Sequence, residues 1–145
     1  MIWKNIENES DIEDLLRQYG HFHDSCLKEL KYISGAYVNK SKGMYSANSK
    51  RNVSMIFQSQ FSKNPVLEIE FGDVKLLNLN PNDEKYDCII LGASLVISNN
   101  LFYWADYEDF SISDIDHRRT WICSGKIKWR FIDGYLGDEV IYETK

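Results

Sequence analysis

The 145-residue sequence is poor in the features that announce a particular chemistry. Its eight glycines fall singly among only two prolines, so no glycine-rich loop is available to cradle a phosphate. The three cysteines, Cys26, Cys88 and Cys123, include no Cys-x-x-Cys pair. An odd, scattered set of this kind suggests neither a disulfide framework nor a zinc ribbon. No Gly-x-Ser-x-Gly elbow presents a nucleophilic serine. Long apolar runs are also missing. The longest candidate, Cys88 to Ile97, is broken by Gly92 and Ser94 and falls short of the roughly 18 residues of a membrane span. The first residues carry acids early and lack the apolar run of a secretory signal. With free cysteines, that makes the cytoplasm the expected location. Positive charge is scarce: 17 Lys and Arg against 22 Asp and Glu leave a net charge of −5. A general nucleic-acid binder normally shows a basic footprint, so that class is excluded.

What is present suffices for a folded domain. Hydrophobic residues make up 43% and aromatics 14% of the chain, which rules out wholesale disorder. The length reads as one domain, 1–145, burying roughly 68–70% of its unfolded surface without metal or disulfide staples. Charge is unevenly spread. Residues 30–67 carry six bases and no acid, whereas residues 68–116 carry 11 acids and two bases.

Ser10 and Glu13 have capping-box spacing, and Ile12, Leu15, Leu16 and Tyr19 follow as one apolar stripe. Acids at 11, 13 and 14 suit the positive end of a helix dipole, and Gly20 supplies a stop. The expectation is a short amphipathic helix over about 10–20. Thereafter the period becomes two. Trp121, Cys123, Ile127, Trp129 and Phe131 share one parity, and Ser124, Lys126, Lys128 and Arg130 the other. Val53, Met55 and Phe57 alternate likewise, as do Leu67, Ile69 and Phe71. Ile89, Leu91, Leu95 and Ile97 mark a longer strand with a possible bulge at Gly92. Gly72-Asp73 and Asn99-Asn100 have the residues of two-residue hairpin turns. Residues 74–79 are buried on both faces or bulged, 38–52 form a long hairpin tip or mobile loop, and 106–119 form a second polar loop. The fold class is therefore α+β: one short N-terminal amphipathic helix, then a curved, mainly antiparallel meander sheet of about seven strands. No strand–helix–strand alternation supports a parallel nucleotide-binding sheet. No cofactor is implied.

Two constellations carry candidate chemistry. His21 and His23 share a face if extended, and with Asp114 and His117 they could chelate a metal for assisted hydrolysis. The alternative is that Asp24 pins the turn into the first strand while the histidines serve as hydrogen-bonding packing residues. The second constellation is acidic and aromatic. Asp106, Glu108, Asp109, Asp114 and Asp116 interleave with Tyr107 and Phe110 after Trp104, the profile of a surface that docks on a basic protein. Trp121 and Trp129 read as core. Aromatics on a curved sheet could instead line a pocket for a small ligand.

At His23-Asp24-Ser25, with Leu27 entering the first strand, the chain resembles a group of small β-rich bacterial proteins, Bacillus ones among them. It is also similar to immunity-type domains of polymorphic toxin systems, in which a His-Asp dipeptide precedes the opening strand. The segments Trp104-Ala105-Asp106-Tyr107 and Thr120-Trp121-Ile122-Cys123 add to that likeness. The resemblance implies a cytoplasmic protein that binds and neutralises a toxin and has no catalysis of its own. It assigns no interface residue. His23 and Asp24, which match the shared pattern, are expected to be structural. Three readings follow: a protein-binding domain, a metal-dependent hydrolase and a small-ligand carrier. The exposed edges of an open sheet leave dimerisation open.

Overall fold

A computed structural model describes residues 2–141. The elements are β1 (Lys4–Asn5), α1 (Glu9–Gln18), β2 (Ser25–Ile33), β3 (Tyr37–Val38), β4 (Met44–Tyr45), β5 (Asn52–Ser59), β6 (Val66–Asn78), β7 (Ser94–Ser98), β8 (Leu101–Ala105) and β9 (Trp121–Phe131). The arrangement is a mainly antiparallel sheet with one α-helix, in keeping with an α+β class. Among the described residues, no helix is long and apolar enough to cross a membrane.

Seven strands form the main sheet in the order β2-β5-β6-β9-β8-β7, with β1 pairing against β9. This is not one meander. The last strand, β9, inserts between β6 and β8 and so joins the three-stranded run β2-β5-β6 to the two-stranded β8-β7. The sheet is not strongly curled. An isolated antiparallel bridge, Ser25 to Ile90, ties the chain ahead of β7 to edge strand β2.

The cap of the helix lies two residues before the expected one, and β1 precedes the helix. Asn8, not Ser10, caps it: the Asn8 side chain accepts from the Asp11 N–H at 3.0 Å, and Asp11 accepts from the Glu7 N–H at 2.9 Å. Ile12 and Leu15 are buried, and Tyr19 closes the helix ahead of Gly20, which takes φ +58°. Tyr19 is fully buried, donates its hydroxyl to the Pro65 carbonyl at 2.9 Å, and has its pKa pushed up by burial.

The core lies where the alternating residues of β5, β6 and β9 meet the helix. Val53, Met55 and Phe57 pair across to Phe71, Ile69 and Leu67, which stand opposite Ile127, Trp129 and Phe131. One expected strand face does not persist. In β9, Ile122, Ile127 and Trp129 enter the main core, whereas Trp121 and Cys123 enter a second cluster with Ala105 and Phe110. The apolar side therefore changes along β9. The change occurs where Asp73, with φ +50°, lies beside Gly125. A Cβ on Gly125 would stand 2.6 Å from the Asp73 carboxylate, so a larger residue there would have to displace it. Gly72-Asp73 is consequently no hairpin turn. It lies inside the 13-residue β6, and the register shifts just beyond it, between Val74 and Leu76. An ion pair from Arg51 to Asp73 and a bond from the Val74 N–H to the Arg51 carbonyl (2.9 Å) hold the bend.

Asn99-Asn100 is the expected tight turn: both residues have positive φ and they join β7 to β8. Residues 38–52 include all but the first residue of a separate hairpin, β3–β4, whose exposed Tyr37 and Tyr45 rings stack at 4.7 Å. The expected strand from Ile89 begins only at Ser94, leaving Cys88 exposed in an irregular segment. On the polar face, Arg130 meets Glu68 at 2.7 Å and Lys128 meets Glu70 at 3.7 Å.

Candidate functional site

The acidic stretch leaves β8 at Asp106 and returns to β9 at Thr120. It is folded against the sheet rather than draped in solvent. Phe110 is 7% exposed and sits 6.3 Å from Trp121, 5.8 Å from Tyr103 and 5.9 Å from Tyr107, centroid to centroid. Ser94 of β7 clamps the stretch from below. Its hydroxyl donates to the Tyr107 carbonyl at 2.7 Å and accepts from the Phe110 N–H at 3.2 Å. The Tyr107 hydroxyl accepts from the Asp116 N–H at 3.1 Å, closing the loop on itself. Asp109 completes the turn with φ +62°. These bonds satisfy the backbone locally, which lets so polar a segment hold one shape.

The five carboxylates divide into two groups. Asp106 is half-buried and faces Arg119, Nε to Oδ1 3.3 Å, while the Arg119 guanidinium also covers the Tyr107 ring at 5.4 Å. Burial raises the Asp106 pKa above its ordinary value, with Arg119 opposing the shift. Asp116 is held by Arg118 at 3.0 Å, and that hydrogen bond lowers its pKa. Glu108, Asp109 and Asp114 are exposed, and among the described residues none has an ion-pair partner. Glu108 lies across the backbone of Gly92, where a Cβ would collide with its carboxylate.

Two expected anchors are unavailable to a partner. Trp104 is fully buried, with Phe57 at 5.2 Å and Phe22 at 5.8 Å, because alternation along β8 turns it and Phe102 into the main core. Phe110 is spent on the loop's own cluster. The apolar surface left on the loop is that of the half-buried Tyr107 and Ile115 and of Ile112, which is 43% exposed. Ser94, Arg118 and Arg119 are the positioning residues that sequence reasoning missed. The two arginines adjoin the acidic run and could have signalled its partial neutralisation. Nothing local marks Ser94.

The histidine cluster does not assemble. Among the described residues, no three His, Cys, Asp or Glu side chains are grouped to hold a metal ion, so His21, His23, Asp114 and His117 form no such centre. His23 instead donates Nδ1 to the Leu91 carbonyl at 2.7 Å and sets Nε2 3.1 Å from the Asp24 carboxylate. His21 contributes its carbonyl to the Ala93 N–H at 3.1 Å and adopts φ +55°, as Phe22 and Asp24 also turn left-handed. This bent turn drives Phe22, fully buried, between Tyr19, Phe57 and Trp104. His117 lies 6.3 Å from Trp121.

Comparison of the chain with protein-family models, curated proteins and solved structures returned no match.

Proposed function

We propose that the chain is a non-catalytic protein-binding domain that docks a basic partner on its 106–116 loop, as an immunity protein neutralises a toxin. The observation that carries this reading is the division of the acids. The loop is braced by Phe110, Ser94 and Tyr107, and it displays Glu108, Asp109 and Asp114 without internal cations. A surface already fixed in shape loses little conformational freedom on binding, and unpaired carboxylates steer a cationic partner toward it. Tyr107 and Ile112 supply the apolar contact. The class of partner, a toxin domain, comes from the resemblance at His23-Asp24-Ser25 and the Trp104 and Thr120 segments.

The test is affinity capture with two baits, the unaltered chain and the double reversal Asp109→Lys with Asp114→Lys. The expected result is one basic protein, retained stoichiometrically by the first bait and lost by the second. Affinity of the purified pair should fall steeply with salt. Equal capture by both baits refutes the loop assignment.

A further inference from the structure

Where β6 bends at Asp73, a cleft lies on the polar face of the sheet. Asn5 of β1, residues 49–52 at the entry to β5, the middle of β6 and residues 126–128 of β9 enclose about 560 Å³ there. That volume is ordinary for a small-molecule site, but such sites are mostly apolar. This one is not. Among the described residues its one apolar lining residue is Ile127, which is 3% exposed.

Six charged side chains line the cleft. Lys50, Arg51, Lys126 and Lys128 stand against Glu70 and Asp73, four cations to two carboxylates, in a chain whose net charge is −5. Both carboxylates are already engaged. Arg51 ion-pairs with Asp73, and Lys75 stands 3.1 Å from the same Asp73 oxygen. Lys128 lies 3.7 Å from Glu70, whose Oε1 also accepts from the Asn52 amide at 3.0 Å. Lys50 and Lys126 are left over. Both are exposed, and among the described residues neither is within ion-pair distance of a carboxylate. The Lys126 side chain runs across Gly72, where an added Cβ would touch its Cβ at 3.4 Å and its Cδ at 3.9 Å. It is therefore beside Asp73. The Lys75 hydrogen bond, then the charges of Lys75, Arg51 and Lys126, hold the Asp73 carboxyl below its ordinary pKa. Three cations thus gather at one carboxylate, and the surplus of two positive charges is local. Donors outnumber acceptors there, so the missing partner is a compact group with two negative charges and several acceptor oxygens. A phosphoryl group has both.

We propose that this cleft binds a small phosphate monoester, its dianionic phosphoryl group met by Lys50, Arg51 and Lys126. A free phosphate would leave most of the volume empty, which is why the ligand carries an organic body. The site shares no residue with the 106–116 loop and does not rest on the docking of a basic protein.

The test titrates phenyl phosphate, phenyl sulfate and inorganic phosphate into the full chain at fixed ionic strength. A pH of about 8 keeps the ester dianionic. Binding is followed through the backbone N–H signals of Gly72, Asp73 and Lys126 in NMR spectra. Phenyl phosphate is expected to shift them saturably at millimolar concentration. Phenyl sulfate keeps the shape with one charge fewer and should bind about tenfold more weakly, the share of one charge-assisted hydrogen bond. Inorganic phosphate, which lacks the organic body, should also bind more weakly than the ester. Lys126→Gln should weaken the ester about tenfold, and adding Lys50→Gln should remove saturation. Both lysines are exposed, so the variants keep the fold. Lys85→Gln removes an exposed charge outside the cleft and should leave the affinity unchanged. The proposal is overturned by no saturable phenyl phosphate shift, by equal affinity for phenyl sulfate or inorganic phosphate, or by Lys126→Gln having no more effect than Lys85→Gln.

Discussion

Replacing Phe110 with alanine should release the acidic loop. Its ring is 7% exposed and supplies the contact joining Tyr103, Tyr107 and Trp121. Phe→Ala substitutions in cores cost about 3–5 kcal/mol, from lost transfer energy and the cavity left behind. The cluster holds four buried residues, Ala105, Phe110, Trp121 and Cys123, and one wall is a loop free to collapse. The expected cost is therefore near the lower figure, about 3 kcal/mol. For a chain of this size that corresponds to a Tm lower by roughly 6–12 °C. Phe110→Leu keeps most of the apolar volume and should cost about 1 kcal/mol.

Two assays separate local from global loss. Circular dichroism during heating gives the Tm, and amide hydrogen exchange gives protection residue by residue. Protection of the Phe110 and Asp116 N–H groups, which bond Ser94 Oγ and the Tyr107 hydroxyl, should fall first, while the β5–β6 ladder stays protected. A Tm within about 2 °C of the unaltered chain, with loop protection unchanged, would refute the claim that Phe110 braces the loop. Under the proposed function, the same variant should also bind its partner more weakly, because the carboxylates lose their fixed spacing.

Two further outcomes are expected. Gly92→Ala forces the Glu108 side chain off the backbone, since a Cβ there would stand 2.7 Å from its Cγ. Its destabilisation should largely vanish in a Glu108→Ala background, a coupling of about 0.5–1 kcal/mol by chemical denaturation, and additive effects would refute the contact. In a carboxyl NMR titration, Asp106 should titrate above the ordinary 3.8 and Asp116 below it. Burial raises Asp106, so its relative stabilisation is full below the unfolded pKa and lost as pH rises through the folded one. The hydrogen bond to Arg118 lowers Asp116, whose contribution is present above the unfolded pKa and lost as pH falls through the folded one. The reverse order of titration would contradict both environments.

Much of the frame was legible because it rests on local periodicity. Val53, Met55 and Phe57 face the core because strand geometry alternates, and Asn99-Asn100 turns because both residues tolerate positive φ. The failures share a cause: they depend on residues remote in sequence. The side change along β9 is set by Asp73 beside Gly125; each interrupts the apolar parity of its own strand, but only their meeting across the two strands gives the interruption its effect. The insertion of β9 between β6 and β8 is a long-range pairing that no short pattern encodes. Even the helix cap lies elsewhere, because Asn8 accepts from the Asp11 N–H while Asp11 reaches back to the Glu7 N–H, the two kinds of bond that Ser10 and Glu13 suggest. The acidic loop shows the division most clearly. Its charges and aromatics could be counted in the sequence, but their roles could not. Its adjoining acids suggest a surface place for Trp104, yet strand parity decides its direction, and parity turns it onto Phe22 and Phe57. By sequence Asp106 and Asp116 belong with Glu108, Asp109 and Asp114, yet arginines thirteen and two residues onward, respectively, neutralise that first pair. What remains for a partner is thus a smaller, more sharply defined set of carboxylates than composition suggested, and its geometry depends on a serine from another strand.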